Sequence, residues 1–344
     1  AGFFTGSGDG FTCVTTRCGS AYCWGRNDRG QLGDQRATDA SPRRIAVGAA
    51  VTQGSLGARH ACALRVDGVV VCWGGNDRAQ AHSGGPNEPP IAPPGPIGVG
   101  AGVTRLESGP IHNCVILDDG RVQCWGDPIG LKLGWDSSAH IMPPVPADET
   151  GATFLTGAID LGLSVHTSCA LVAGGDLYCW GSLYRAPYFG SYGYPPGTFA
   201  TDVISVNGGW THLVADSIFG PIATQASDCG QCGIVHGYLE IFHPLAVASG
   251  AQLAPGQLTT CARVGGSLSC WGDNRHGQLG IGGPCVDDII PNDDIDHPLC
   301  GAVTTTPQTV ALPGPAVDVS AGYGHTCALV DDGRELVPYC FGEA

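Results

Sequence analysis

The stretch CALRVDGVVVCWG, residues 62 to 74, puts a cysteine at each end of a short alternating run. Two segments rich in Val, Leu and Cys flank Val66-Asp67-Gly68, and a three-residue loop ending in a glycine with positive φ reverses a strand. Counting outward from Asp67 sets Cys62 opposite Cys72, and opposed residues of an antiparallel pair lie within disulfide reach. The arrangement recurs. Cys13 and Cys23 flank Arg17-Cys18-Gly19, Cys114 and Cys124 flank Asp118-Asp119-Gly120, and Cys169 and Cys179 flank Ala173-Gly174-Gly175. Cys261 and Cys270 are one residue closer, around the shorter turn Gly265-Gly266. Cys327 and Cys340 are further apart, around Asp332-Gly333-Arg334-Glu335. Register survives both length changes, so the pattern predicts six hairpins, each stapled across its strands. Each staple contributes ~2–3 kcal/mol by closing a short loop.

Composition narrows the class. The 344 residues are 43% hydrophobic, with Gly 55, Pro 25 and only 16 Lys plus Arg, a turn-rich balance without a sustained helical period. The expectation is an all-β chain with almost no helix. A net charge of −15 argues against nucleic acid, whose phosphates need a basic surface. Seventeen cysteines, mostly in register-matched pairs, suit an oxidising compartment, so an extracellular or cell-surface location is expected. The sequence opens AGFFTGSGDG and reads as a mature, exported product, and no apolar run reaches membrane-spanning length.

The first hairpin position recurs at Cys13, Cys62, Cys114, Cys169, Val214, Cys261 and Cys327, steps of roughly 50 residues that signal a propeller or solenoid. The fifth unit, THLVADSIFG at 211 to 220, has neither paired cysteines nor Cys-Trp-Gly. The segments SAGYGHTCALVDDG, CWGDNRHGQLG and TPQTVAL resemble the repeats of the regulator of chromosome condensation family, and the likeness runs along the whole chain. The resemblance implies a single seven-bladed β-propeller over residues 1–344, with about four strands per blade and an insertion in blade six at about 281–306. It implies an inner strand such as Ala316 to Ala321, the stapled hairpin as middle strands, and an outer strand such as Gln308 to Leu312. The tryptophans after the second cysteine are expected between neighbouring blades, and small residues before the His would suit a crowded channel wall. The cysteine-stapled form is similar to exported bacterial members. Two departures stand out: blade five is eroded, and Ala79 replaces the motif glycine before Gln80.

Several groups carry candidate chemistry. His60, His112, His212 and His325 share one repeat position, with His166 one residue early. They form either a metal-binding ring or, as equivalent repeat residues usually do, separate imidazoles each bonding backbone in its own blade. Cys229 and Cys232 have the spacing of a thiol redox pair or of a local structural disulfide. Cys285 and Cys300 bracket the blade-six insertion and are expected to bridge. Within it, Asp287, Asp288, Asn292, Asp293, Asp294 and Asp296 either offer oxygen ligands to calcium or form a solvated acidic loop. No other cofactor is implied. With these pairs assigned, Cys18 is left without an intrachain partner. The Pro/Gly-rich loop YFGSYGYPPG could present Tyr188, Tyr192 and Tyr194 as a contact patch.

The chain starts two residues before its first inner strand, near Phe3, and stops just after the blade-seven hairpin. Blade seven is therefore expected to lack an outer strand. Its strand edge at Pro338, Tyr339, Cys340 and Phe341 is then either an assembly contact or an edge shielded by loops and Pro338. No nucleophile with a base and no phosphate-binding glycine loop appears, so the expected function is not enzymatic. It is a structural, self-associating or protein-binding module, such as a subunit of an appendage or filament. The alternative is a secreted protein inhibitor or ligand-binding protein.

Overall fold

In a computed structural model the described residues are 2–6, 8–34, 38–81, 91–134, 155–165, 167–181, 194–200, 203–208, 213–217, 222–223, 243–244, 251–257, 259–282, 285–286, 299–300 and 304–342. Among them the only helical element is a 3-10 turn, Ile129–Leu131; all other regular structure is strand. The strands form seven blade sheets and one small ribbon. The fold is an all-β, seven-bladed propeller.

Blade one pairs Gly2–Phe3, Phe11–Thr15, Ala21–Gly25 and Asp39–Arg44 in that order from the centre outward. Blade two follows with Val51–Leu56, His60–Arg65, Val70–Gly75 and Ile91–Pro96, and gains a fifth, parallel strand, Thr5–Gly6, on its inner side. Blade three shows Val103–Ser108, His112–Leu117 and Val122–Gly126; blade four shows Ala158–Leu163, Thr167–Val172, Leu177–Gly181 and Tyr194–Ala200. Blade five keeps four strands despite its eroded sequence: Val203–Gly208, Leu213–Ser217, Ile222–Ala223 and His243–Pro244. Blade six is Gln252–Pro255, Thr259–Val264, Ser267–Gly272 and Thr304–Thr309, so its outer strand lies earlier than the expected Gln308 to Leu312. Among the described residues blade seven, like blade three, has three strands: Ala316–Ala321, His325–Asp331 and Leu336–Gly342.

The hairpin register is the one the cysteine spacing predicts. Cys13, Cys62, Cys114, Cys169, Cys261 and Cys327 face Cys23, Cys72, Cys124, Cys179, Cys270 and Cys340, and all six pairs are bonded. Their Cα atoms are 4.0–4.1 Å apart, the close spacing of a non-hydrogen-bonded antiparallel pair. Backbone N–H and C=O at these cysteines consequently point away from the hairpin partner, towards the neighbouring strand.

Most core clusters among the described residues span two blades. Phe11, Cys13, Cys23 and Leu32 of blade one pack with Ala61, Val71 and Trp73 of blade two. Cys62, Cys72 and Ala81 of blade two pack with Leu106, Val115 and Trp125 of blade three. A sheet that is apolar on both faces can bury both only by stacking on two neighbours, which is why the repeats close into a ring. The ring is shut where blade seven meets blade one: Phe3 N–H donates to Asp318 Oδ2 at 2.7 Å and Tyr323 N–H to the Gly8 carbonyl at 3.0 Å.

Candidate functional site

Among the described residues the histidines form no group placed to hold a metal. Each described imidazole reaches a side chain of the next blade. His60 Nε2 lies 2.8 Å from Asn113 Oδ1, His112 Nε2 lies 2.8 Å from Ser168 Oγ, and His325 Nε2 lies 3.0 Å from Thr12 Oγ1 across the ring closure. For His60 the expected backbone bond within its own blade is corrected, since its Nε2 reaches Asn113 and its Nδ1 has no hydrogen-bond partner. The reason is position: a residue two before the first hairpin cysteine points at the blade interface, not at its own backbone. His166 and His212 lie outside the described residues.

The partner groups decide the imidazole tautomer. Asn113 Nδ2 donates to the Gln80 carbonyl at 2.9 Å, so its oxygen faces His60 and must accept. Ser168 spends its hydroxyl hydrogen on the Lys132 carbonyl at 2.7 Å, leaving its oxygen to accept from His112. Both rings therefore carry the proton on Nε2. The same two carbonyls also accept from the indoles of Trp125 and Trp180, at 3.1 and 3.0 Å, and Trp73 donates likewise to the Gln31 carbonyl at 2.8 Å. One motif-loop carbonyl thus fastens the following blade through its tryptophan and the polar residue before its cysteine. Burial holds His60 neutral, lowering its pKa to about 4. The small residue before His60 leaves room for its ring: a Cβ on Gly57 would meet His60 Cε1 at 2.0 Å.

A complementary code follows around the ring. Where blade one has Phe11 at the histidine position, blade two answers with Ala61, and both lie in one apolar cluster. The signal was present in the sequence, but it emerges only when each position is compared with the next repeat and not with its equivalents.

The motif loops are held by their own side chains. Asn27 Oδ1 accepts from Leu32 N–H at 2.8 Å and Gln31 Oε1 from Arg29 N–H at 2.7 Å; Asn76 with Ala81 and Gln80 with Arg78 repeat this at 3.0 and 2.7 Å. Ala79 adopts φ 58° where Gly30 has 73°, so the loop keeps its left-handed turn at the cost of strain. Blade three departs further. Lys132 occupies the glutamine position, is buried, and pairs with the equally buried Asp127. Burial pushes its pKa down and the Asp127 carboxylate opposes that.

Near the centre of the ring the inner strands are joined by polar contacts. Gln53 Oε1 accepts from Leu106 N–H at 3.0 Å, and Arg105 forms an ion pair with Asp160. Beside them Glu107 is buried, with Thr5 Oγ1 3.0 Å from its Oε2. Burial raises its pKa to about 7, against the opposing pull of Arg105.

The edge at Pro338, Tyr339, Cys340 and Phe341 stands apart from these structural joints. Leu336–Gly342 pairs with His325–Asp331 along its full length, and no described residue pairs with its other side. Pro338, Tyr339 and Cys340 are exposed, while Phe341 is half-buried in the core cluster of blades six and seven. In the other five stapled blades the second cysteine is buried.

Other candidates are scattered. Cys18 is exposed with a free thiol. Cys285 and Cys300 are backbone partners in the ribbon Cys285–Val286/Leu299–Cys300. Cys229, Cys232, Asp287, Asp288, Asn292, Asp293, Asp294, Asp296, Tyr188 and Tyr192 lie outside the described residues, and Tyr194 begins the outer strand of blade four. Among the described residues no group of three His, Cys, Asp or Glu is placed to hold a metal, and no helix is long and apolar enough to cross a membrane.

Two family models, both described as the Regulator of chromosome condensation (RCC1) repeat, match this chain: one at residues 19–64 and 265–329, the other at 51–80 and 316–343. The chain is 29% identical over 350 residues to the ultraviolet-B receptor UVR8 of Arabidopsis thaliana, covering 92% of this chain and 72% of the relative. Among solved structures it is similar to human WBSCR16, with TM-score 0.72, 19% identity and coverage of 95% and 85% of the two chains. It is also similar to yeast RCC1 (Prp20) in its complex with Kap60, with TM-score 0.69, 17% identity and coverage of 96% and 80%.

Proposed function

This chain belongs to the regulator of chromosome condensation repeat family, and we propose that its propeller works by binding protein, not by catalysis, as an extracellular or cell-surface assembly module. The finer reading is a self-associating structural role, as in a bacterial surface appendage or filament, with residues 1–344 acting as one propeller unit. The observation that carries it is the contrast between side chains engaged in joints and, among the described residues, a hairpin edge in blade seven on which the second cysteine is exposed. The side chains with catalytic potential, His60, His112, His325, Lys132 and Asp127, are engaged in holding blade to blade or loop to blade. Blade seven instead presents a strand edge that no described residue pairs, with Cys340 exposed on it. The six hairpin disulfides support an oxidising compartment, and the net charge of −15 weighs against nucleic acid.

The relatives agree in kind without supplying a partner. One is named as a receptor and one was solved with a bound protein, and fold alone does not transfer either role. Light scattering on protein purified from its native source tests the reading. Oligomers or a complex with another protein are expected, and a monomer without a protein partner at every concentration sinks it. A monomer holding a soluble partner would favour the secreted inhibitor or ligand-binding role.

A further inference from the structure

We propose that the outer edge of Leu336–Gly342 is an acceptor site for a proline-bearing extended segment of a second polypeptide, which docks antiparallel as the fourth strand of blade seven. The inference deepens the protein-binding reading and rests on it.

The sibling blades show what such a site takes. In blades one, two, four and six the fourth strand pairs with the second hairpin cysteine: Cys23 with Arg43, Cys72 with Gly95, Cys179 with Gly197 and Cys270 with Gln308. It pairs again at the glycine two residues on: Gly25 with Asp39, Gly74 with Ala92, Gly181 with Tyr194 and Gly272 with Thr304. The positions of Cys340 and Gly342 are equivalent, and neither has a partner on that side among the described residues. Cys340 sits opposite Cys327 with Cα atoms 4.0 Å apart, so its N–H and C=O face outward. Pro338, two residues earlier, presents a carbonyl but no donor. The edge therefore offers two donors, Cys340 and Gly342, in the spacing its siblings use.

The four sibling strands also share a chemistry. They read DASPRR, IAPPGP, YPPGTFA and TTTPQT, each carrying at least one proline. An outermost strand tolerates proline because only one of its edges is paired. An occupant of the same kind would add main-chain bonds at Cys340 and Gly342 and cover the exposed Cys340 and Tyr339, the geometry of strand addition.

The test uses the whole chain and a soluble peptide of residues 304–312, TTTPQTVAL, taken from the blade-six fourth strand. Hydrogen exchange of 336–342 is expected to be fast in the purified chain and to slow about 10-fold with excess peptide, with no such change in the other hairpins. The same peptide carrying Gln308→Pro, which removes the amide facing the cysteine, should have no effect. A second variant appends this segment to the chain through a Gly/Ser linker, filling the edge in cis, and is expected to abolish association of the native type. Absent protection with the peptide, or a segment 336–342 already protected in the isolated chain, overturns the proposal. Association that persists in the filled variant overturns it too, while leaving the protein-binding reading intact. Native material without any protein partner would instead overturn that broader reading.

Discussion

His60 in blade two gives its Nε2 proton to the side-chain oxygen of Asn113 in blade three, 2.8 Å away, and Asn113 passes on a hydrogen bond to Gln80 back in blade two. The two residues form a buried polar joint beside the apolar cluster of blades two and three. Phe11 and Ala61 fill the equivalent place between blades one and two without any polar atom.

The joint should therefore be exchangeable only as a pair. His60→Phe alone leaves the Asn113 oxygen buried and unpaired, and about 1–3 kcal/mol of stability should be lost. Asn113→Ala alone strands the imidazole donor at a similar cost. The double variant recreates the Phe11–Ala61 pairing and should recover most of the loss. Denaturant titration of the four proteins in a double-mutant cycle checks this; additive losses would show that the two side chains do not act together.

Glu107 gives the fold a pH dependence of identifiable sign. Its folded pKa is about 7, above the ordinary carboxyl value of 4.5, so between these pH values the folded state holds the extra proton. Stability from this group is present at low pH and is lost as pH rises from about 4.5 through 7, by at most about 3 kcal/mol. His60 acts oppositely. With its pKa lowered from 6.5 to about 4, the unfolded state binds the proton first, and stability falls as pH drops through that window. The melting temperature at pH 8 relative to that at pH 5 should be higher in Glu107→Gln than in the parent, because only the opposite dependence of His60 remains, and an unchanged difference would rule Glu107 out.

The disulfides should differ in accessibility although their registers are alike. Cys340 is exposed, whereas Cys23, Cys72, Cys124, Cys179 and Cys270 are buried. Mild reduction without denaturant, followed by alkylation and peptide mapping, should label Cys327 and Cys340 first, together with the already free Cys18. Equal labelling of all hairpins would contradict the open edge.

Lys132 and Asp127 should behave as a coupled pair, with Arg78 at the edge. Lys132→Gln restores the residue that blades one, two and six use, yet leaves the buried carboxylate only the half-exposed Arg78, 3.9 Å away, as a cation, at a cost of up to about 3 kcal/mol. Adding Asp127→Gly, the residue blade two has at this position in Gly75, should return stability close to that of the parent. Calorimetric melting of the single and double variants measures it. A harmless single change would mean the pair adds nothing.

Cysteine spacing alone determined the hairpins, because disulfide chemistry needs opposed residues and the alternation of a strand is rigidly of period two. Counting from Asp67 or across Gly265-Gly266 places the register to the residue. The repeat likewise determined the ring, since a blade apolar on both faces has no other way to bury them. What the tertiary structure decided is which blade a side chain serves. Sequence treats His60 as the equal of His112, but its partner, Asn113, lies 53 positions on, and only the stacking of blades brings them together. The same holds for Glu107, whose buried state depends on Thr5 crossing from the first segment to the inner edge of blade two. Periodicity reports what a residue has in common with its equivalents. Energetics at a blade interface depends on what its neighbour lacks, and that is settled only when the ring closes.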